Sequence, residues 1–295
     1  MARKTAADFD PEVLVLFNAY VHGALDRRGF LDKAKKYAVG GVTAAMLLDQ
    51  LSPNFAEAQQ VKPDDSRLKT ERVPYPSPNG NEKTSGYLVR PAKATGKLPT
   101  VLVIHENRGL NPHIEDIARR IALENFMAFA PDALAPVGGY PGTEDEARKV
   151  FGTLDRAKTA EDMLAAAHYA KARPDSTGKL GVVGFCWGGS QSHQLATKMP
   201  DLAAAVPFYG GAPAPEEAKK VKAALLVQLA ENDPNVNKSW AAYEPALKEA
   251  GIKYEAYVYP GTGHGFNNDT TPRYDEAQAK IAWERTIAHF KKHLA

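Results

Sequence analysis

Cysteine is nearly absent from this chain, which carries one such residue, Cys186, among its 295. A single thiol excludes an intrachain disulfide, a CxxC redox pair and a zinc site made of several thiolates. A long apolar run is missing as well, because the mildly apolar stretch 37–48 is too short to cross a bilayer. Cys186 is therefore either inert packing or the centre of the chemistry.

An excess of charge is also missing. Lys and Arg total 37 against 35 Asp and Glu, which leaves a formal net charge of +2. Because the positive and negative residues are so nearly equal in number, the composition does not predict a nucleic-acid-binding surface. It favours a small molecule as the partner. The length and the 44% of hydrophobic residues suffice for one substantial core. We predict one main domain, residues 61–295, after an extension over residues 1–60, and leave a homodimer open.

The extension carries features of an export signal. Arg27 and Arg28 are followed by Phe-Leu, the weak apolar stretch and an Ala-Glu-Ala site at residues 56–58. This order resembles a twin-arginine signal, which would place the mature protein in the periplasm or outside the cell. In the alternative, residues 11–25 and 28–51 form two helices that stay on a cytoplasmic protein and cover an apolar face of the main domain.

The main domain is predicted to be an α/β protein. After a polar linker with a turn at residues 77–80, short apolar runs alternate with helical patterns, as in crossover units of a mostly parallel sheet flanked by helices. The predicted strands are 85–91, 100–105, 128–131, 180–185, 204–208, 224–229 and 254–259. The last helix, 274–294, is expected to bury Ile281, Ile287, Phe290 and Leu294. The glycine-rich residues 135–142 are expected to form a loop beside the site.

One strand ends in the pattern Gly-x-Cys-x-Gly at residues 184–188 and runs into a helical pattern over 190–199. The two glycines remove the Cβ atoms that would clash at a sharp strand-to-helix turn, so the central side chain projects above the sheet. At a helix N-terminus Cys186 should lose its proton readily, and the backbone N–H of Trp187 is placed to bind an oxyanion. The alternatives are an inert buried cysteine, or a serine nucleophile at Ser190 or Ser192, which lie outside the turn.

A nucleophile at such a turn needs a carboxylate and an imidazole, which follow it along the chain in that order. Asp233 lies past the run 224–229 and precedes a proline, with Glu231 as the second choice. His264 lies between two glycines past the run 254–259. Both positions follow strands, where open α/β sheets place their sites. Each of them alone would be interpreted as an ordinary turn or loop residue.

The run 100–104 leads into His-Glu-Asn-Arg-Gly, residues 105–109. At this place the fold supplies its second oxyanion donor, for which the backbone N–H of Asn107 is the candidate. A carboxylate at Glu106 would keep a neighbouring thiol protonated unless Arg108 neutralises that carboxylate. In the alternative, Glu106 and Arg108 form an ordinary ion pair on the surface. Six other histidines show no ligand spacing with carboxylates, so no metal and no cofactor are predicted; they are His105, His113, His168, His193, His289 and His293.

Taken together, residues 105–109, the turn around Cys186, Asp233 and the Gly-His-Gly-Phe of 263–266 resemble the dienelactone hydrolase (carboxymethylenebutenolidase) family. The likeness runs from about residue 70 to the end. It implies an α/β-hydrolase fold and a triad of Cys186, His264 and Asp233. It also implies that Glu106 modulates the thiol and that the N–H groups of Asn107 and Trp187 bind the oxyanion.

The chain departs from the family at the substrate. Members that open dienelactones hold the substrate carboxylate with two arginines, but here the two regions are acidic or polar, Glu-Asp-Glu at 144–146 and Asn-Asn-Asp at 267–269. Arg108 and Arg273 are the candidate replacements. The extension lies outside the family core.

The hypothesis is a cofactor-free hydrolase that cleaves a carboxylic ester or lactone through a thioacyl intermediate on Cys186. An apolar pocket for a modest acyl group is expected from five aromatic residues, Tyr140, Trp187, Phe208, Tyr209 and Phe266. The alternative from another class is a non-catalytic member of the fold that binds or assembles through its N-terminal helices.

Overall fold

The computed structural model describes residues 4–295, which contain one eight-stranded sheet. The strands are β1 Leu68–Pro74, β2 Ser85–Pro91, β3 Leu98–Ile104, β4 Met127–Pro131, β5 Ser176–Phe185, β6 Ala204–Phe208, β7 Ala224–Asn232 and β8 Tyr254–Gly263. Their order is β1-β2-β4-β3-β5-β6-β7-β8, antiparallel on both sides of β2 and parallel from β4 to β8. The predicted α/β fold with a mostly parallel sheet is confirmed.

Helices cover both faces of this sheet. They are α1 Pro11–Val21, α2 Arg27–Ala34, α3 Ala44–Leu51, α4 Phe55–Ala58, α5 Pro112–Leu123, α6 Glu144–Phe151, α7 Arg156–Ala172, α8 Trp187–Lys198, α9 Pro234–Glu249 and α10 Glu276–Leu294. Helices α5 and α10 pack their apolar side chains into the core on one face, while α7, α8 and α9 pack on the other. Within residues 4–295, no helix has both the length and the apolar content of a membrane span.

The observed elements correct three details of the predictions. Strand β1 lies within the segment predicted as a linker; most of its residues are exposed, so it lacks the apolar signal of the central strands. Ile281 on α10 is 40% exposed and does not belong to the buried face, unlike Ile287, Phe290 and Leu294. The single helix predicted over 28–51 is wrong, because Gly40 and Gly41 adopt positive φ angles of 62° and 83° between α2 and α3.

The extension has an apolar cluster of its own. Side chains from α1, α2 and α3 form it, among them Phe17, Tyr20 and the fully buried Phe30. Polar contacts tie this unit to the main domain. Among them, the Asn54 N–H donates to the carbonyl of Thr270 over 2.8 Å, and the side-chain amide of Gln60 donates to the carboxylate of Asp269 over 2.8 Å. The helices of the extension are therefore packed onto the side of the sheet where β3 and β8 end.

Candidate active site

Cys186 stands at the junction of β5 and α8 in a strained conformation, with φ 55° and ψ −112°. Its backbone N–H donates to the carbonyl of Phe208, which anchors the turn to β6. A Cβ atom on Gly184 would collide with the carbonyl of Gly188, and one on Gly188 would collide with the carbonyl of Ile104. The two glycines therefore permit the close packing that holds the sulfur above the ends of the strands.

The imidazole of His264 lies next to this sulfur and is held by a carboxylate. Its Nδ1 is 2.6 Å from Oδ2 of Asp233, and the two side chains are 11% and 7% exposed. Asp233 follows the end of β7, and His264 follows the end of β8. Glu231, the second choice for the acid, instead accepts a hydrogen bond from the N–H of Gly261 over 2.8 Å. It therefore braces the neighbouring loop and does not contact the imidazole.

The charges of this pair reinforce each other. Burial by itself would raise the pKa of the Cys186 thiol, but the nearby His264 and a contact with His22 lower that pKa to about 6. Burial would lower the pKa of His264, but the charge of Cys186 and the hydrogen bond to Asp233 raise it to about 10. The geometry thus favours a thiolate and an imidazolium around neutral pH.

The two predicted oxyanion donors follow the ends of neighbouring strands, β3 and β5. The N–H of Trp187 belongs to the first turn of α8, and the N–H of Asn107 follows β3. In the part of the chain that the structure describes, neither N–H has a hydrogen-bond partner. They are therefore free to donate hydrogen bonds to the oxygen of a substrate carbonyl.

Glu106 and Arg108 are engaged by other protein groups. The carboxylate of Glu106 accepts a hydrogen bond from the side-chain amide of Asn268 over 2.9 Å. Arg108 is buried, donates to the carbonyl and side-chain oxygens of Asn107 at 3.0 and 2.7 Å, and lies 3.5 Å from Glu144. Its guanidinium therefore organises the loop after β3 in this conformation.

Most of the predicted pocket residues are engaged by other protein groups. Trp187 stacks on His105, with ring centres 5.2 Å apart. Phe208 and Phe266 are fully buried and pack on each other in the core, so they lie beneath the site and do not line an open pocket. Tyr209 packs its ring 5.0 Å from the ring of His264, and its buried hydroxyl has no partner among residues 4–295. Tyr140 donates to Glu144 over 3.0 Å at the rim. The rigid aromatic support is thus larger than predicted, and the exposed lining is smaller.

Arg273 has more unused donors than Arg108, of which only Nε is buried without a hydrogen-bond partner among the described residues. The Nε and Nη1 atoms of Arg273 are both buried and have no such partner. The guanidinium lies beside the backbone of Gly265, next to His264, and 5.2 Å from the centre of the Phe17 ring. A half-buried cation with free donors next to the imidazole is suited to an anionic group.

An unexpected side chain, His22, comes from the extension. Its Nε2 is 3.6 Å from the sulfur of Cys186 and 3.1 Å from Nε2 of His264. Sequence reasoning missed His22, which lies just past the end of α1 in no recognisable motif. No local pattern in the sequence could have indicated a contact over a separation of 164 residues.

The backbone before His22 also closes on the site. The carbonyl of Val21 accepts hydrogen bonds from the side chains of Asn107 and Arg108 at 3.1 and 3.0 Å. The guanidinium of Arg148 lies 4.7 Å from the centre of the Tyr20 ring. The end of α1 therefore forms one wall of the space above Cys186.

Comparison of the sequence with family models and with known proteins identifies the family to which this chain is similar. A model of the dienelactone hydrolase family matches residues 84–294, and a model described as YqhI-like matches residues 1–39. A Salmonella typhi protein, provisionally named a carboxymethylenebutenolidase, is 31% identical over 230 residues, which are 73% of this chain and 85% of the relative. The Escherichia coli (strain K12) fragment YghX is 53% identical over 114 residues, 39% of this chain and 97% of the fragment.

Among solved structures, a Klebsiella pneumoniae protein provisionally described as a dienelactone hydrolase is 29% identical with a TM-score of 0.67. The match covers 76% of this chain and 99% of that one. The sheet and its flanking helices define an α/β-hydrolase. The chain belongs to the dienelactone hydrolase family and is a hydrolase of the carboxylic ester and lactone class.

Proposed function

We propose that Cys186, His264 and Asp233 form the catalytic triad of this hydrolase and that the reaction passes through a thioester on Cys186. The thiolate attacks the carbonyl carbon of an ester or lactone, and the resulting oxyanion binds the N–H groups of Asn107 and Trp187. The imidazolium of His264 gives its proton to the leaving alkoxide. His264 then takes a proton from water, and the hydroxide releases the acid and restores the thiolate.

The observation that carries this proposal is the 2.6 Å contact between His264 and Asp233 beside a strained, partly exposed Cys186. A carboxylate on Nδ1 fixes the tautomer that keeps Nε2 directed at the sulfur. A cysteine that only fills space in the core needs no neighbouring imidazole, and it does not need the strained positive φ angle of Cys186. The same geometry disfavours a non-catalytic binding or assembly module.

The serine alternatives lack this arrangement. Ser192 is fully buried and donates to the carbonyl of Gly188 over 2.9 Å, so its hydroxyl is structural. Ser190 lies one turn into α8, beyond the first residues of the helix, and the structure gives it no contact with His264. Cys186, in contrast, lies at the turn with its sulfur within 4.8 Å of Nε2 of His264.

We expect Cys186→Ala to abolish hydrolysis of p-nitrophenyl acetate, because no other nucleophile reaches the ester carbonyl. Turnover is measured by release of nitrophenolate in the presence of a chelator, and the thioester is sought by intact mass after rapid acid quench. Ser190→Ala is the matched control and should keep wild-type turnover. Unaltered turnover in Cys186→Ala, or its loss in Ser190→Ala alone, would contradict the assignment.

The substrate class follows from Arg273. Its unpartnered, buried Nε and Nη1 atoms beside Gly265 and His264 suit a carboxylate on the substrate. Arg108 already has Nη1 and Nη2 engaged by Asn107 and Val21, and its Nε lies 3.5 Å from the carboxylate of Glu144. Charge-assisted hydrogen bonds to a carboxylate contribute about 1.5–3 kcal/mol. We therefore propose that the preferred esters or lactones carry an acidic group.

Arg273→Gln should raise KM for an ester that bears a free carboxylate by about ten- to a hundredfold, with little change for its neutral methyl ester. Initial rates on the matched pair of substrates measure the effect. The neutral ester is the internal control for folding, because its hydrolysis needs the same triad. Equal losses on both substrates would show that Arg273 supports the structure and does not bind a carboxylate.

A further inference from the structure

Three ligand-type atoms meet above the end of β5, and the hydrolytic mechanism uses only two of them. The sulfur of Cys186 and the Nε2 atoms of His22 and His264 all lie within 4.8 Å of one another. Two of the edges are 3.6 Å from sulfur to Nε2 of His22 and 3.1 Å between the two Nε2 atoms. The convergence of His22 on the other two atoms therefore needs an explanation of its own.

Hydrogen bonds determine which ring nitrogen of each histidine carries a proton. Nδ1 of His22 donates to the backbone carbonyl of Asn18 over 2.8 Å, and Nδ1 of His264 donates to the carboxylate of Asp233 over 2.6 Å. Since a neutral imidazole has one N–H, His22 then presents a lone pair at Nε2, and His264 does so once the imidazolium has lost its second proton. In the metal-free protein the proton of the His264 imidazolium lies between the two Nε2 atoms, which are 3.1 Å apart. Without that proton the two lone pairs repel each other unless a metal cation takes its place.

The spacing suits a tetrahedral cation. Zn–N bonds of about 2.0–2.1 Å and a Zn–S bond of about 2.3 Å separate two nitrogens by about 3.3 Å, and nitrogen from sulfur by about 3.6 Å. The observed edges of 3.1 and 3.6 Å are close to these values. Metal-binding histidines also commonly donate their second ring N–H to a carboxylate or a backbone carbonyl, as His264 and His22 do.

We propose that His22, Cys186 and His264 form a binding site for Zn²⁺, with the fourth position open to water or a small anion. One thiolate and two imidazoles are ligands that Zn²⁺ prefers. Bound zinc takes the sulfur lone pair and the Nε2 atom that hydrolysis needs, so it holds the enzyme inactive and fastens α1 to the main domain.

This proposal departs from the prediction that the chain has no metal site. That prediction weighed six histidines by their spacing along the sequence and left out His22, which approaches the site only in the fold. The zinc site does not rest on the proposed hydrolase mechanism, because it concerns binding by three side chains in the absence of any substrate.

The first test is a titration of the full chain, freed of metal by a chelator, with Co²⁺ as a spectroscopic substitute for Zn²⁺. One equivalent should produce a near-ultraviolet thiolate-to-cobalt charge-transfer band and the intense visible bands of tetrahedral cobalt. Zn²⁺ should displace the cobalt, and Cys186→Ser should lose the charge-transfer band. Saturation without that band would overturn the proposal, because the thiolate would not be a ligand.

The second test separates this site from other histidine pairs. His22→Ala should weaken Co²⁺ binding by about a hundredfold or more, since outer-shell partners of a metal alone are worth about 10–100-fold. His293→Ala is the matched control, because the rings of His289 and His293 lie 4.6 Å apart on α10 and form another close pair. Wild-type affinity in His22→Ala, or a loss confined to His293→Ala, would refute the assignment.

Alkylation gives a readout that needs neither cobalt nor substrate. One equivalent of Zn²⁺ should protect Cys186 from iodoacetamide in the wild-type chain, and the same free Zn²⁺ should leave it reactive in His22→Ala. Equal protection in both would count against His22 as a ligand. Hydrolysis measured with a chelator keeps the two proposals apart: an active enzyme that binds no zinc contradicts only the metal site, and a zinc-binding chain without hydrolysis contradicts only the triad.

Discussion

At the scale of single residues, the reactivity of this protein depends on how Cys186 and His264 share a proton. Burial opposes the charge on both, yet each stabilises the charged form of the other, and Asp233 adds a hydrogen bond to the imidazole. The lowered pKa of the thiol means that its thiolate form persists from about pH 6 upward. Nucleophilicity should therefore be available at neutral pH without an external base.

The pH dependence of alkylation tests this balance. The rate constant for reaction of Cys186 with iodoacetamide should rise through a midpoint near pH 6, because only the thiolate reacts and its pKa is about 6. His264→Ala should move the midpoint upward toward the ordinary range of a cysteine, since the positive partner is gone. His168→Ala, an exposed histidine on α7, is the control. A wild-type midpoint near pH 9, measured with a chelator present, would rule out the ion pair.

At the scale of elements, the turn between β5 and α8 depends on contacts that only glycine allows. Gly184 and Gly188 lie against backbone carbonyls with no room for a side chain, and Cys186 itself takes a positive φ. The Gly-x-Cys-x-Gly spacing is therefore a requirement of backbone packing as well as of chemistry. The sequence pattern could predict this turn because both glycines lie within two residues of the nucleophile.

Gly184→Ala should destabilise the fold by about 1–3 kcal/mol or more, because its Cβ would overlap the carbonyl of Gly188. Urea unfolding followed by circular dichroism gives the change in the free energy of unfolding. Gly96→Ala is the control, since an added Cβ there meets no atom within 4 Å and the glycine has no positive φ. Similar midpoints for the two variants would show that the turn relaxes at little cost.

The elements of the extension were less predictable than those of the sheet. The spacing of apolar and polar residues over 28–51 suggests one uninterrupted helix. Two glycines with positive φ angles, Gly40 and Gly41, instead separate α2 from α3. Strand β1 carries too few buried residues to show the apolar run on which strand prediction depends. Local patterns therefore failed where an element is short or lies at an edge.

At the scale of the whole molecule, the extension and the main domain meet at the candidate site. Phe17 lies over Arg273, Val21 receives hydrogen bonds from Asn107 and Arg108, and His22 contacts Cys186. Removal of residues 1–58 would remove all three. Export by a twin-arginine-like signal and retention of the extension stay alternative predictions, and a homodimer and the lack of nucleic-acid binding stay predictions as well.

We expect the protein recovered from its native cell to keep the extension, because α1, α2 and α3 share a buried cluster and α1 closes on the site. Intact mass of the purified protein measures this directly. Replacement of Arg27 and Arg28 by lysine is the matched control, since it should block twin-arginine export and leave a retained cytoplasmic protein unaffected. A mass that lacks residues 1–58 in the unaltered protein alone would instead support export and cleavage after Ala58.

The sequence by itself determined the α/β sheet, the turn at Cys186 and the candidacy of Asp233 and His264, because these follow from periodicity and from motifs that span a few residues. Only the tertiary structure decided that Asp233 and not Glu231 contacts His264, that Phe208 and Phe266 lie beneath the site, and that Arg273 keeps free donors. It also decided the position of His22, because that contact arises from packing between segments 164 residues apart and leaves no trace in local pattern.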